Sequence, residues 1–262
     1  MDQKLIESVI KRVQSEMSYE SKSEPVFSRK DIGVTEFVGT APGTTIGLVI
    51  ASVDPILTEK MELGKYRSIG IIGGRSGAGP QAMAVDEAVK ATNAELISFQ
   101  ACTDDCGGPG QGSLIVVGAE DVSDARRAVE IAIDALNDRY FGDVYANDQG
   151  FIEFQYTARA SSCLEMAFGA KKGKAFGLLC CGPAAIGAVV SDVVLKAANV
   201  EALSYMSPSA GEGFTYSNEI AMTFTGDSGA VRQAMRAGID VGKKLLAAFG
   251  SEPKSVGGVP YI

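Results

Sequence analysis

Apolar side chains fall at helical spacing through residues 80–93 (PQAMAVDEAVKATN) and crowd together as in a buried strand through the AELISFQ that overlaps and follows. The same succession returns at 183–199 (PAAIGAVVSDVVLKAAN) and 200–206 (VEALSYM). Around each lies the same order of elements. The pattern predicts a strand at 36–41 (EFVGTA) and at 153–158 (EFQYTA), then a strand closing on glycine at 67–74 (RSIGIIGG) and at 174–182 (KAFGLLCCG). After the helix and its strand come a glycine-rich loop, another strand (SLIVVGA, 113–119; EIAMTFTG, 219–226) and a second helix (121–136; 227–246). Pro80 and Pro183 suit a first helical turn, and Asp121 and Asp227 stand where helix N-caps belong.

The chain is two copies of one unit. DEAVKATNAELISF (86–99) maps at a shift of 106 positions onto DVVLKAANVEALSY (192–205), and from 86 to 134 the match is 12 identities in 49. TEFVGTAPG from Thr35 resembles IEFQYTARA from Ile152 at a different shift, which predicts a longer insertion in the first copy between Thr44 and Gly70. That match pairs Glu36 with Glu153, and carboxylates that recur with a repeat read as structural. Each unit reads as α+β, a helix pair packed on one sheet. Residues 5–17 form an amphipathic helix, with Leu5, Ile6, Val9, Ile10, Val13 and Met17 on one face, and 18–31 have linker composition. The expected division is 1–33 for helix and linker, 34–150 and 151–250 for the two units, and 251–262 for an irregular tail.

Composition narrows the function. The 262 residues are 46% hydrophobic and 21% charged, as in a folded protein, and no apolar run reaches the length of a membrane span. With no histidine, a Ser-His-Asp triad, a Cys-His dyad and histidine metal sites are all excluded. A net charge of −8 argues against nucleic acid and anionic membranes as partners. The charge is uneven: 35–150 hold 8 Lys and Arg against 17 Asp and Glu, while 151–250 hold 9 against 8. Five cysteines and no export signal point to a reducing cytoplasm.

Two stretches could carry chemistry. SIGIIGGRSGAGP (68–80), with its glycine-rich turn at 73–80, has the strand–turn–helix context of a phosphate or nucleotide loop, which would make the chain an enzyme. It lacks the lysine and the glycine spacing of the known loops, and glycine for close helix–sheet approach explains it as well. ACTDDCGGPGQG (101–112) and its counterpart SPSAGEGFTYSN (207–218) are longer than a hairpin needs. Cys102 and Cys106 there leave open a metal or redox carrier, a reversible disulfide or a plain surface loop. No nucleophile with a base stands out, so no catalytic residue, metal ligand or cofactor is assigned.

VKATNAEL and LKAANVEA, each followed by strand, glycine-rich loop and strand, together with GDSGAVRQA, resemble the shell-protein domain of bacterial microcompartments. Two copies in tandem, with VTEFVGTA, YRSIGIIGGRSGAGP, FGDVYANDQG, QYTARAS, YSNE and the tail GSEPK…YI, resemble its permuted tandem-domain trimeric members, those of propanediol-utilisation compartments included. The resemblance implies two permuted domains, each a small antiparallel sheet with packed helices, in a homotrimer shaped as a pseudohexagon. Such a trimer tiles with hexameric and pentameric shell proteins in a cytoplasmic microcompartment shell and is not an enzyme. Its edge contacts fall on Lys90, Asn93, Lys196, Asn199 and Arg159, with Pro42 where the first copy would repeat the arginine. Its pore loops fall on 101–112 and 207–218, which places Asp104, Asp105, Gly107, Gly108, Gly110, Gly112, Ser207, Ser209, Gly211 and Gly213 around an opening for small polar metabolites such as diols or glycerol. The N-terminal segment would tether encapsulated enzymes. Exposed edge lysines contribute little to a fold, so Lys90 and Lys196 are both expected to be dispensable for folding.

Overall fold

The computed structural model describes residues 34–102, 110–208, 218–257 and 259–262. The helix expected at 5–17 and its linker lie outside them. Each repeat builds one antiparallel sheet. The first contains β1 (Phe37–Ala41), β2 (Thr45–Ile50), β3 (Ser68–Gly74), β4 (Glu95–Cys102) and β5 (Gly112–Ala119) in the order β1-β2-β3-β5-β4. The second contains β6 (Val144–Asn147), β7 (Gly150–Thr157), β8 (Ala175–Gly182), β9 (Val200–Met206), β10 (Ile220–Gly226) and β11 (Lys254–Ser255) in the order β11-β6-β7-β8-β10-β9. The helices are α1 (Pro55–Lys60), α2 (Ala78–Ala91), α3 (Val122–Ala135), α4 (Ser162–Phe168), α5 (Ala184–Ala197) and α6 (Ser228–Ala247).

The repeat extends further into the structure than the residue matches reach. One residue bulges out of β4 against β5 at Ile97, and one bulges out of β9 against β10 at Leu203. Those two positions are again 106 apart. The helix pair α2–α3 packs on the first sheet and α5–α6 on the second. Ala125, Ala128, Val129, Ala132 and Ile133 form the buried stripe of α3. A Cβ on Gly70 would meet a methyl of Val129 at 2.5 Å, so this glycine lets the helix settle onto β3. Gly77, at φ 79°, starts α2 in the left-handed region. Pro80 falls in the first turn of α2, and Pro183 directly precedes α5. Asp121 and Asp227 occupy the N-cap positions, yet neither side chain makes a capping hydrogen bond.

Topology corrects one match made on residues. The strand equivalent to β7 is β2, because each pairs with the glycine-terminated strand of its own sheet, β8 or β3. EFVGTA therefore runs into the outer strand β1, the counterpart of β6. The residue in Glu153's place is Ile46, not Glu36: Glu153 lies opposite Cys180, and Ile46 lies opposite Gly73. The expected insertion between Thr44 and Gly70 is absent. The connections 51–67 and 158–174 are of equal length, and each carries one short helix, α1 or α4. The strand β6 pairs with β7, so the second sheet already begins at Val144.

The expected irregular tail is ordered against the second sheet and the turn that joins the repeats. Lys254 and Ser255 pair with β6. The buried carboxylate of Asp143 accepts the backbone N–H groups of Tyr261 (2.8 Å) and Ile262 (3.0 Å) and the hydroxyl of Tyr145 (3.0 Å). The Tyr261 ring meets Tyr140 edge-on at 5.5 Å, and its hydroxyl accepts the N–H of Tyr156 at 3.1 Å. Replacing Tyr261 by Ala should therefore cost about 2–3 kcal/mol in urea denaturation, and replacing it by Phe about 1 kcal/mol, the effect of orphaning one strand N–H.

Candidate functional site

The two repeats meet over the N-terminus of α2, the ends of β4 and β9, residues 110–111 ahead of β5, and the outward face of the second sheet. A cavity of about 460 Å³ lies there. Glu153 on β7 and Cys180 on β8 are direct cross-strand partners, and Glu219 stands two residues before Ala221, which faces Cys180. Strand alternation therefore turns all three side chains toward the cavity. Glu153 and Glu219 are both buried, and among the described residues no Lys or Arg lines the cavity with them. Gly79 faces Glu153: a Cβ there would lie 1.8 Å from Oε1.

Burial, then the charge of Glu219, pushes the Glu153 carboxyl up to about 8, and a hydrogen bond from Gln155 offsets part of this. Its Oε1 has no hydrogen-bond partner among the described residues. At neutral pH Glu153 is held mostly as the acid, so it can donate a hydrogen bond into the cavity while its oxygens still accept. Burial and the two carboxylates push the Cys180 thiol far up, so it is no nucleophile. Among the described residues no group of three His, Cys, Asp or Glu could hold a metal ion. The arrangement provides hydrogen-bonding groups for a small polar solute and no acid–base or nucleophilic pair for turnover.

The glycine-rich turn at 73–80 is not a phosphate loop. The N–H of Ala78 is spent on the carbonyl of Gln111 at 2.8 Å, and the Glu153 carboxyl stands beside the next residue, where an anion would have to sit. Of the residues expected around an opening, Gly110 (φ 69°) lines the cavity, Gly112 opens β5 and Ser207 follows β9, half-buried. Asp104, Asp105, Gly107, Gly108, Ser209, Gly211, Gly213 and Cys106 lie outside the described residues. Cys102 ends β4.

The lysines matched by the repeat are in different surroundings. Lys90 pairs with Asp86 and donates to the Thr157 hydroxyl at 3.2 Å. Asp86 is buried and also accepts the N–H (2.8 Å) and hydroxyl (2.5 Å) of Ser161 from the other repeat. Lys90 is thus the counter-charge of a carboxylate at the junction of the repeats, not a free edge lysine. Lys196 pairs with Asp192 at 2.7 Å, and both are exposed. Asn93 donates to Asp124 at 3.1 Å, while Asn199 and Arg159 are exposed. Pro42 falls in the turn between β1 and β2; with β2 as the equivalent of β7, the place corresponding to Arg159 lies beyond β2 instead. Neither the Glu153–Glu219 pair nor the Asp86–Ser161 contact was foreseen from residue spacing. The one signal in the sequence was that Glu153 is the single charged residue of its strand.

Residues 68–148 and 175–252 match the family described as BMC domain. The matches begin at β3 and β8 and leave their partners β2 and β7 on the N-terminal side, which is the permuted order. The chain is 54% identical over 233 residues to the bacterial microcompartment shell protein PduB of Salmonella typhimurium, covering 88% of this chain and 85% of that one. It is 51% identical to the PduB of Limosilactobacillus reuteri, covering 84% and 92%. Among solved structures it superposes on a trimeric bacterial microcompartment shell protein PduB with a TM-score of 0.81 at 50% identity, covering 87% and 100%. It also superposes on EtuB from Clostridium kluyveri with a TM-score of 0.83 at 49% identity, covering 87% and 99%.

Two outcomes follow from these electrostatics. Lys90→Ala should lower stability by about 1–2 kcal/mol and Lys196→Ala by under about 0.5 kcal/mol, measured by chemical denaturation, because only the first leaves a buried carboxylate without its cation. A carboxyl with a raised pKa binds its proton more tightly in the folded state, so its contribution is largest below the unfolded pKa of 4.5 and is lost as pH climbs to about 8. Stability should fall across that window by up to about 1.4 kcal/mol per pH unit, and Glu153→Gln should flatten the fall.

Proposed function

This chain belongs to the bacterial microcompartment (BMC) domain family, and from that premise we propose that it is a structural, pore-forming shell subunit that closes into a homotrimer and admits small polar metabolites. One observation carries the trimer. The junction between the repeats buries α2 on two sides, and the matching surfaces at the other ends of the chain are bare. Met83 on α2 is 1% exposed, and Val189, its equivalent on α5, is 47% exposed. Leu164 on α4, which covers α2, is fully buried, and Leu57, its equivalent on α1, is 42% exposed. The outer face of α5 is thus one half of an interface whose other half is α1 on the same chain. A surface and its complement on opposite ends of one molecule associate head to tail and form a ring when the rotation closes. The PduB structure, described as trimeric, supports closure at three copies.

Within the ring, the loops after β4 and β9 meet around an opening, lined by Asp104, Asp105 and the glycines between 107 and 112, with Ser207, Ser209, Gly211 and Gly213 from the second repeat. The Glu153–Glu219 cavity lies beside these loops and offers donors and acceptors to uncharged hydroxyl compounds such as diols or glycerol. Asn199, Arg159 and Asn93 are left for edges that meet hexameric and pentameric shell proteins, while Lys196 falls at the contact between copies. Residues 1–33 tether encapsulated enzymes. The role is architectural and the place of action is the shell. A nucleotide-binding enzyme is disfavoured by the carboxyl of Glu153 at the N-terminus of α2.

Sedimentation tests the reading directly. The 27.3 kDa chain should sediment as a species of three copies, and Val189→Asp should give a folded monomer, because a charge there enters an apolar contact without disturbing the face that α5 turns to its own sheet. A wild-type monomer at micromolar concentration would end the proposal.

A further inference from the structure

The junction inside the chain and the contact between copies are built from equivalent positions, but their charges differ. Inside the chain, the buried Asp86 is met by Ser161, the N-cap of α4, whose hydroxyl oxygen also accepts the N–H of Cys163 at 3.1 Å. Lys90 supplies the counter-charge and is steadied by Thr157. One carboxylate thus faces one ammonium and one hydroxyl donor. At the other end of the chain, Asp192 and Lys196 repeat Asp86 and Lys90. The N-cap of α1, which corresponds to Ser161, is Asp54, and its carboxylate accepts the N–H of Ile56 at 2.8 Å. The place of Thr157 is taken by Ile50, which has no hydroxyl.

Resting on the head-to-tail trimer above, we infer that the contact between copies brings Asp54 of one copy against Asp192 of the next, with Lys196 as the single cation between two carboxylates, and that this cluster sets how tightly the trimer holds. The serine of the inner junction donates to the aspartate it meets. Asp54 has nothing to donate and adds a second negative charge to be desolvated, which Lys196 must balance together with the first. The contact between copies is therefore weaker than the junction within the chain, and Lys196, dispensable for the fold of one copy, becomes essential to the ring.

Asp54→Ser and Asp54→Asn test this without breaking the helix, because serine, asparagine and aspartate cap comparably well. Each should tighten the trimer, lowering the protein concentration of half-dissociation in sedimentation equilibrium by roughly tenfold or more. Lys196→Ala should loosen the wild-type trimer by at least as much, and should cost markedly less in the Asp54→Ser background, where one carboxylate remains with a hydroxyl to serve it. A trimer whose dissociation is unmoved by both Asp54 substitutions overturns the inference, as does an equal Lys196→Ala effect in the two backgrounds. Monomers in every variant, wild type included, would overturn the trimer itself and this inference with it. Circular dichroism melts of the same substitutions in the monomeric Val189→Asp background, unchanged within a degree or two, confirm that the differences arise between copies.

Discussion

Helix α2 is buried on two sides, and the architecture depends on that double burial. One side lies on the sheet of its own repeat and the other receives α4 and β7 of the second repeat, so that Ala82, Met83, Ala84 and Val85 are all excluded from water. A helix buried all round can afford a polar group only where partners are assured. Asp86 has them in the backbone and hydroxyl of Ser161 and the ammonium of Lys90. The apolar contact supplies the driving force, and the carboxylate fixes the register of one repeat on the other.

The same contact accounts for the acidic cavity. Where the repeats meet, Glu153, Cys180 and Glu219 project from neighbouring strands of the second sheet. The equivalent positions in the first sheet are Ile46, Gly73 and Gly112, none of them ionisable. In a ring of six domains the acidic cavity therefore belongs only to the three junctions within chains. Burial, and after it the neighbouring charge of Glu219, is why Glu153 retains its proton to about 8.

The tail and the turn between the repeats hold the second unit in place. A single π-helical turn, Leu136–Tyr140, ends α3, and its Tyr140 hydroxyl donates to Glu87 on α2 at 2.7 Å. Tyr261 meets the same Tyr140 edge-on, and Arg232 of α6 donates to the Tyr261 carbonyl at 3.1 Å. The end of the described chain thus closes on the segment that joins the two repeats.

The sequence determined the repeat, because hydrophobic period, glycine turns and the 106-residue shift are local signals. It placed the helices and inner strands and located the two long loops after β4 and β9. It also carried the resemblance to microcompartment shell proteins in short motifs such as KATN and GDSGAVRQA. What it could not decide was which strand lies beside which. The likeness of EFVGTA to EFQYTA matched an outer strand to an inner one, since residue identity says nothing about hydrogen-bonded neighbours. Nor could it separate Lys90 from Lys196, which sit in near-identical sequence. Whether a lysine is a free edge group or the partner of a buried carboxylate depends on what packs against its helix from seventy residues away, and only the tertiary fold brings Ser161 to Asp86 and leaves Asp192 in water.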